Sequence, residues 1–439
     1  ERWSLVVISK SGGTLETAAS FRIFRAALES YYGVKSSQVK QLVVPVTGDS
    51  GKLHNLAELA GYESEFEIPD GIVSDDLELL INDDSVSVVA QLIGGIEPAK
   101  SITLRLLESG KDVVTANKAL LALHGQALSQ TAENKGLVLR FEAAVAGGIP
   151  VVKALTEGLA GNEITRVMGV MNGTCNYILT RMEATGQGYN ALFAEADKLG
   201  YLEADPNLDV GGIDAGHKLA LLASVAFGTQ VDFDNVQLEG IQRIELADIE
   251  QASDMGYRIK LLGVAQMTGR GLEQRMSPCL VPANSPLGQL QGGTNMVVLE
   301  GDSVEQIVLR GAGAGEGPTA SAVMADVMDI ARGTRISTFG QPASSLVSPI
   351  PAKSAVPAPF YIRMKLQDKP GALAKVAAAL GEAGVSIDRM RQYQHEQDSA
   401  PVLIVTHKTT REALDAALAA FATTDVVEGA PVAIRIEEV

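Results

Sequence analysis

One lysine and several carboxylates stand close together in the segment LGYLEADPNLDVGGIDAGHKLALLAS. Asp214 and Lys218 are four residues apart at the start of a predicted helix, so their side chains share one face of it. Carboxylates can hold a substrate ammonium group, while a lysine can pass a proton to a developing alkoxide. Spacing alone favours a surface ion pair beside an acidic loop, and a site for a small zwitterionic substrate is the alternative. Three further carboxylates lie in the Gly/Pro-rich loop just before the helix: Glu203, Asp205 and Asp209.

The composition restricts the classes of protein to which the chain can belong. Of its 439 residues, 46% are hydrophobic and 20% are charged, as in ordinary globular proteins. The net charge of −17 argues against nucleic acid and anionic membranes as partners, since both need a basic face. Two cysteines, Cys175 and Cys279, are too few for a disulfide framework, so we expect a cytoplasmic protein. Because the sequence begins at Glu1 rather than Met, we also expect it to continue upstream.

The order of predicted elements indicates several domains. Short apolar strands alternate with amphipathic helices up to residue 141, which predicts a doubly wound parallel α/β sheet. The next part mixes helices and strands, and residues 340–359 have the Pro, Ser and Ala content of a linker. We therefore expect the tail, 360–439, to be separable, and its β-α-β-β-α-β order predicts a ferredoxin-like unit. Near the start the predicted elements are strands Leu5–Ile8, Gln41–Val46 and Glu65–Ile68 and helices Glu16–Tyr31 and Lys52–Leu59.

From about residue 75 to its end, the chain resembles bacterial homoserine dehydrogenases. Six segments in the expected order carry the resemblance: VVAQLIGGIEPAK, GKDVVTANKALLA, FEAAVAGGIPVVKAL, MNGTCNYIL, LGYLEADPNLDVGGIDAGHKLALLAS and GAGAGEGPTASAVMADV. The resemblance implies an NAD- or NADP-dependent interconversion of L-homoserine and L-aspartate 4-semialdehyde, in the biosynthesis of threonine, methionine and isoleucine. It also implies a Rossmann-like nucleotide layer, an α+β substrate and dimerisation domain, and a C-terminal ferredoxin-like ACT domain. The implied bounds are 74–141 for the rest of the nucleotide domain, 142–339 for the catalytic domain with helix 319–331 returning to the nucleotide domain, 340–359 for the linker and 360–439 for the ACT domain.

The same resemblance implies roles for individual residues. Lys218 falls on the family's proton-donating lysine, and Lys118 of the TANK motif falls close to both nicotinamide and substrate. Gly200 and Gly315 would line the cofactor, although each glycine could simply belong to a turn. The acids that would hold the amino-acid substrate are Glu203 and Asp214, with Asp209 nearby. A sodium ion bound largely by backbone carbonyls would fall on Glu142, Val145, Gly147 and Ile149, where a plain strand-to-helix turn is the alternative.

The tail resembles an ACT regulatory domain through the stretch KLQDKPGALAKVAAALGEAGVSIDRM. In that family the strand-to-helix turn binds an amino acid, often at the interface of a domain pair. Gly371 would let the ligand approach the backbone, and Asp388 would lie across from it; a turn that only caps a helix is equally consistent. The resemblance implies threonine as effector and a homo-oligomer, either a dimer or a tetramer.

The front of the chain differs from the expected dehydrogenase pattern. No G-x-G-x-x-G turn precedes Asp75, and residues 3–73 resemble a fragment of glucose-6-phosphate isomerase, with an SIS-type phosphosugar loop at Ser9, Ser11 and Thr14. This segment, 1–73, would complete a hybrid Rossmann-like layer without supplying the usual diphosphate turn. We therefore expect weakened binding of NADPH and reduced activity. The alternatives are a phosphosugar-binding fragment and an inactive chimeric product.

Overall fold

The computed structural model describes residues 76–203, 205–392 and 399–439, together with the backbones of two strands near the start. It divides into two units, each assembled from several stretches of the chain. Unit 1 consists of Glu1–Val167, Gly216–Asn235 and Thr294–Pro349. Unit 2 consists of Met168–Ala215, Val236–Gly293 and Ile350–Val439.

Unit 1 is built on a five-stranded parallel sheet with the strand order β2-β1-β3-β4-β5. Its strands are β1 (Leu5–Ser9), β2 (Val43–Thr47), β3 (Val88–Gln91), β4 (Asp112–Thr115) and β5 (Leu139–Arg140). The helices of this layer are α1 (Leu77–Ile81), α2 (Ala99–Glu108) and α3 (Lys118–Asn134). The parallel pairing confirms the predicted doubly wound layer. β1 lies between β2 and β3, so the loop that follows it starts where the strand order reverses.

The predicted strands Leu5–Ile8 and Gln41–Val46 correspond to β1 and β2, whose ends differ from the prediction by at most two residues. The sequence also predicts a helix at Leu77–Ile81 and a strand at Asp112–Thr115, and α1 and β4 have these bounds, because a short apolar run bounded by turn residues is a local signal. The predicted helices Glu16–Tyr31 and Lys52–Leu59 and the predicted strand Glu65–Ile68 lie outside the described residues.

One face of the sheet is covered by α10 (Glu316–Ala331), whose buried side chains form one core with those of β3 and β4. Ala320, Val323 and Val327 pack in this core. A hairpin of β10 (Thr294–Gly301) and β11 (Glu305–Ala312) precedes the helix. The described remainder of unit 1 includes α4 (Val151–Lys153), which runs into a π-helical turn at Ala154–Gly158.

Two elements belong to both units: β6 (Ile164–Val170) and α8 (Ile213–Phe227). The helices of unit 2 that bear on the site are α5 (Gly173–Thr185), α6 (Tyr189–Lys198), α7 (Pro206–Val210) and α9 (Leu246–Asp254). The first turn of α8 also belongs to unit 2, so its acidic residue Asp214 stands in the same unit as α5 and α7.

Unit 2 contains a sheet with the order β8-β9-β15-β12-β14-β13, and β7 (Gln237–Leu238) also pairs with β9. Its long hairpin is β8 (Tyr257–Thr268) and β9 (Gly271–Pro282). The tail supplies β12 (Phe360–Gln367), α11 (Ala372–Glu382), β13 (Ile387–Gln392), β14 (Ser399–Thr406), α12 (Arg411–Ala422) and β15 (Val427–Ile436). This order confirms the predicted ferredoxin-like unit, which has its own apolar core around Ile362, Leu380 and Phe421.

The tail is joined to the rest of unit 2 more closely than its linker-like composition predicted. β15 pairs in parallel with β9, so that Arg435 lies beside Cys279 and Ile436 beside Leu280. The preceding segment also packs, because Ala355 and Ala358 are buried. The composition of 340–359 indicated only that helix and strand are absent from most of it. Strand pairing and burial, which composition does not encode, make the tail part of a continuous sheet.

Within the described part of the chain, no helix is both long and apolar enough to cross a lipid bilayer.

Candidate active site

The acidic loop before α8 is organised by one asparagine of unit 2. Asn172 Nδ2 donates hydrogen bonds to Asp209 Oδ1 at 2.9 Å and to Asp214 Oδ2 at 3.3 Å. Its Oδ1 accepts a hydrogen bond from the backbone N–H of Cys175, which caps the start of α5. Asp209 and Asp214 are only 4% and 5% exposed, so their attachment to a shared donor keeps two buried carboxylates from lying unsolvated beside each other.

Glu203 depends on the same group for the position of its backbone. Its N–H donates to Asp209 Oδ2 at 2.8 Å, while its own side chain stays exposed. Asp205 instead caps α7 by accepting from the backbone N–H of Asn207 at 3.0 Å. The acids of this loop are therefore of two kinds, because Asp205 and Asp209 accept hydrogen bonds from the backbone whereas the side chain of Glu203 is exposed.

Lys218 lies one turn after Asp214 on α8, as the spacing predicted. Leu219 and Leu222 of α8 are fully buried, so this part of the helix is packed inside the protein. Leu222 lies one turn after Lys218, so the face that carries Asp214 and Lys218 becomes apolar at its next turn.

A buried lysine of β8 also holds the first turn of α5. Lys260 of β8 is buried, and its ammonium donates to Asn176 Oδ1 at 3.0 Å and to the carbonyl of Leu290. Asn176 Nδ2 in turn donates to the carbonyl of Gly292 at 2.7 Å. Burial lowers the pKa of Lys260 to about 8. The start of α5 is thus tied to the loop 290–293 as well as to the acidic loop.

In unit 1, the ends of β3 and β4 are tied together just before Lys118. Thr115 Oγ1 donates to Gln91 Oε1 at 2.8 Å, and Asn117 Nδ2 donates to the carbonyl of Ile93 at 2.8 Å. Asn117 Oδ1 also accepts from Leu120 N–H and so caps α3, which begins at Lys118. Lys118 therefore stands at the carboxyl edge of the parallel sheet, the edge at which open α/β sheets bind their ligands.

The residues assigned to a sodium ion form a tight buried loop in unit 1. Ala146 and Gly147 both have positive φ, 55° and 54°, so the chain turns tightly at these two residues. A Cβ on Gly147 would lie 2.5 Å from the carbonyl oxygen of Gly313, so only glycine fits there. Of the four assigned residues, Val145 and Ile149 are also buried, and oxygen ligands on such a loop suit an alkali cation.

The carboxylate of Glu142 is occupied by the backbone rather than pointing to an open site. It accepts from the N–H groups of Val152 and Lys153 at 2.9 and 2.8 Å. Burial, followed by the nearby charge of Asp326, raises the pKa of Glu142 to about 7. Its contribution to a cation site would therefore come from its carbonyl. Among the described residues, no group of three or more His, Cys, Asp or Glu side chains is placed to hold a metal ion.

The two glycines expected near the cofactor occupy different kinds of position. Gly200 has φ 71° and follows α6, where its N–H donates to the carbonyl of Asp197. Gly315 has φ 111° and immediately precedes α10, so the free N–H groups of that helix begin at this glycine. The two glycines belong to different units, Gly200 to unit 2 and Gly315 to unit 1.

The two predicted regulatory residues lie at opposite ends of the ferredoxin-like sheet, because Gly371 follows the end of β12 whereas Asp388 is level with Tyr361 at its start, so within one chain Asp388 does not lie across from Gly371 as expected. Gly371 has φ 87° and precedes α11, which agrees with a turn that only glycine adopts easily. Asp388 lies on β13, is exposed, and accepts from Arg389 Nε at 3.1 Å. Of the phosphosugar loop, Ser9 ends β1, whereas Ser11 and Thr14 lie outside the described residues.

The sequence analysis did not single out Asn172, Asn176 or Lys260. The segment MNGTCNYIL was noticed, and its amide side chains flanking a glycine before a helix are the signal of an N-cap. Their partners, however, are 37 to 116 residues away along the chain, a distance that local patterns do not report.

The parallel nucleotide-binding layer and the acid–lysine helix define a nicotinamide-dependent oxidoreductase of amino-acid metabolism with a C-terminal regulatory domain. Three family models match the chain: the homoserine dehydrogenase NAD-binding domain at residues 39–142, homoserine dehydrogenase at 150–328, and the ACT domain at 360–423.

The homoserine dehydrogenase of Pseudomonas aeruginosa is 42% identical over 376 residues, which are 84% of this chain and 86% of that protein. The Mycobacterium tuberculosis homoserine dehydrogenase is 41% identical over 84% of this chain and 86% of its own. The crystal structure of a homoserine dehydrogenase from Thiobacillus denitrificans superimposes with a TM-score of 0.87 at 34% identity, covering 99% of this chain and 98% of that one. The chain belongs to the homoserine dehydrogenase family.

These matches correct the interpretation of the front segment. The NAD-binding family model starts at residue 39 and so includes 39–73, which the sequence analysis compared with glucose-6-phosphate isomerase. Nothing in the comparisons supports an isomerase fragment, and nothing in them supports reduced activity. The short Ser/Gly/Thr loop dominated the sequence comparison, whereas the family model matches 39–142, the part of the layer that contains β2 to β5.

Proposed function

We propose that the chain interconverts L-homoserine and L-aspartate 4-semialdehyde with NAD or NADP. The observation that carries this proposal is a pair of buried acids, Asp209 and Asp214, that share the hydrogen-bond donor Asn172. Asp214 lies one helical turn before Lys218. The parallel sheet with β1 at its centre and Lys118 at its carboxyl edge fits a nicotinamide dinucleotide. The bound cofactor supplies the hydride, and the residues of the chain bind the substrate and transfer the proton.

The substrate has an ammonium group at one end and a carbonyl or hydroxyl group at the other. Glu203 and Asp214 hold the ammonium, because two carboxylates compensate its charge. Asp209 keeps Glu203 in place through the backbone N–H of that residue. Lys218 donates a proton to the carbonyl oxygen as negative charge develops there, and Lys118 orients the reacting centre.

The test is a spectrophotometric assay of the purified full chain. L-Homoserine with NAD or NADP should give reduced nicotinamide, and L-aspartate 4-semialdehyde should consume it. L-Serine, which is one methylene shorter, should react far more slowly, because its hydroxyl does not reach Lys218 when its ammonium is held by the acids. Equal rates with L-serine would exclude the proposed substrate.

Asn172 offers a sharp test of how the acids are positioned. Asn172→Asp retains an oxygen that can cap α5 but places a third carboxylate beside Asp209 and Asp214. We expect the KM for L-homoserine to rise about tenfold to a hundredfold, since a hydrogen bond to a charged group is worth about 1.5–3 kcal/mol. The kcat should change only a few-fold.

The matched control for this variant is Asn207→Asp. Asn207 is exposed, lies in the same acidic loop, and bonds Asp205 rather than Asp209. Its KM should stay close to that of the unmodified enzyme. If Asn172→Asp left the KM unchanged, Asn172 would have no positioning role.

We further propose that the loop after β1, with Ser9, Ser11 and Thr14, contributes to binding the cofactor diphosphate. β1 ends at the centre of the sheet, and hydroxyl groups followed by a predicted helix favour an anion there.

This cofactor loop is tested by Ser11→Asp, which adds a negative charge where the diphosphate would lie. The KM for NADPH should rise at least tenfold, because like charges repel, while the KM for L-homoserine stays unchanged. Ser87→Asp, at an exposed position just before β3, is the control. An unchanged KM for NADPH in Ser11→Asp would place the diphosphate elsewhere.

Three further features of the enzyme are proposed on the resemblance together with the geometry. A sodium ion binds the tight buried loop of unit 1 through the carbonyls of Glu142, Val145, Gly147 and Ile149. Threonine regulates the enzyme through the ACT domain, with Gly371 and Asp388 as the resemblance places it. The enzyme is a cytoplasmic homo-oligomer, a dimer or a tetramer.

A further inference from the structure

A cavity of about 420 Å³ opens in unit 2 where the tail joins the rest of the sheet. One wall is the edge of β9, the second is α12 with the end of β15, and the third is the segment 353–355 that leads into the tail. β7 and β15 both pair along this same edge of β9, β7 at Arg275 and Met276 and β15 at Cys279 and Leu280. The cavity therefore contacts the catalytic part of the chain and the regulatory part at once.

The cavity presents both positive and negative groups with unused bonding capacity. Arg435 bonds Glu437 at 2.8 Å through Nε alone, so its two Nη atoms make no hydrogen bond to any residue that the structure describes. The Lys353 ammonium and the Glu239 carboxylate form no ion pair within the described part of the chain. Both charges are thus available to a ligand that carries the opposite ones.

The carboxylate of Glu239 lies among charged groups of both signs. Burial is the main cause that raises the pKa of Glu239, and Arg411 and Arg243 oppose it. Arg411 is itself engaged by Asp415 at 2.8 Å. The side chain of Glu239 is exposed, so its carboxylate is accessible to a ligand cation that enters the cavity.

Glu239 and Arg435 lie along the same edge of β9. Glu239 N–H donates to the carbonyl of Met276, and Arg435 lies beside Cys279, three residues further along that strand. Groups of both charges therefore line one small cavity, as a ligand with an ammonium and a carboxylate requires.

The two residues after Glu239 contact the acidic loop of the active site. The next residue, Gly240, is pressed against the chain, since a Cβ there would lie 2.3 Å from the carbonyl oxygen of Val210. Ile241 N–H donates to that same carbonyl at 2.9 Å. Val210 follows Asp209, so a shift of the segment 239–241 must be taken up next to Asp209.

We propose that this cavity is a binding site for a small α-amino acid, with its carboxylate on Arg435 and Lys353 and its ammonium on Glu239, and that occupancy reaches Asp209 through Gly240. The site differs from the one proposed at Gly371 and Asp388, since neither of these residues lines the cavity. The regulatory consequence rests on the proposed function, whereas binding does not.

Isothermal titration calorimetry of the full chain tests the binding site independently of catalysis. The probes are L-threonine, L-methionine and L-isoleucine, each titrated separately. At least one should bind to the unmodified chain, and Glu239→Gln and Lys353→Ala should each weaken it at least tenfold. Lys353 is exposed and unpaired among the described residues, so its loss should leave the fold intact.

Each titration is repeated in an Asp388→Asn background, which removes the separate threonine site proposed at the Gly371 turn, and Lys408→Ala in that background is the matched control that should bind as its parent does. The proposal is overturned if none of the three amino acids binds to Asp388→Asn, or if Glu239→Gln and Lys353→Ala bind normally in that background. Binding that is lost in the cavity variants while the chain fails to turn over L-homoserine would support this site and overturn the proposed function instead.

A kinetic measurement tests the connection to Asp209. The bound amino acid should raise the KM for L-homoserine at least threefold and leave the KM for NADPH unchanged, because Asp209 positions Glu203. Glu239→Gln should remove this effect and leave the basal activity as it was. An inhibitor that raises only the KM for NADPH would overturn the proposed route.

Discussion

Lys218→Ala is expected to lower kcat about a hundredfold to ten-thousandfold while the KM for L-homoserine changes only a few-fold. The reason is that proton donation matters only as charge develops on the substrate oxygen, so its loss is felt in the transition state and hardly in the bound ground state. Steady-state kinetics in both reaction directions measure the two constants. Lys198→Ala, at an exposed lysine on α6, is the control and should behave as the unmodified enzyme.

Asp214→Asn separates binding from proton transfer on the same face of α8. The substitution removes the charge that holds the substrate ammonium, so KM should rise about tenfold or more with a smaller change in kcat. The opposite result, with kcat lost in Asp214→Asn and KM raised in Lys218→Ala, would exchange the two roles. A kcat that survives in Lys218→Ala would remove the lysine from the proposed mechanism.

Glu437→Gln is expected to cost about 3–5 kcal/mol of folding free energy, because it breaks a buried ionic cluster at the junction of β9 and β15. Arg275 is 4% exposed and bonds both Glu273, at 3.0 Å, and Glu437. Arg435 bonds the same Glu437 at 2.8 Å. Without the Glu437 carboxylate, Arg275 still bonds Glu273, whereas Arg435 loses its acidic partner in this cluster.

Chemical denaturation of the full chain measures this cost. Glu438→Gln is the matched control, since Glu438 is 76% exposed and its contact with Lys408 is at the surface. An exposed pair of this kind contributes at most about 1 kcal/mol, so the control should unfold nearly as the unmodified chain does. Equal stability of the two variants would show that the cluster does not hold the junction.

Deleting 360–439 should be more damaging than the single substitution. The deletion removes Glu437, and it also removes Tyr361 and Arg363, which bond the fully buried Asp248 at 3.0 and 2.6 Å. Arg275 would then lose one of its two acidic partners, Asp248 would lose its arginine and its tyrosine, and β9 would lose its neighbour β15. A truncated chain with unchanged stability would restore the expectation of a separable tail.

The sequence by itself determined the features that depend on neighbours along the chain. Period and length of the apolar runs predicted α1, β4 and the order of the ferredoxin-like tail, because helix and strand periodicity are local. The same locality placed Asp214 and Lys218 on one helical face, since i and i+4 positions of a helix always are neighbours. The predicted elements near the start, Glu16–Tyr31 and Lys52–Leu59, lie outside the described residues.

The tertiary structure decided everything that joins distant segments. Asn172 reaches Asp209 and Asp214 across 37 and 42 residues, Gly240 presses against Val210, and β15 adds to the edge of β9. The segment 340–359 resembled a simple linker because composition reports the types of residues and not their burial. These contacts depend on which surfaces the folded chain brings together, and strand pairing, close backbone approach and buried charge compensation leave no local pattern from which they can be predicted.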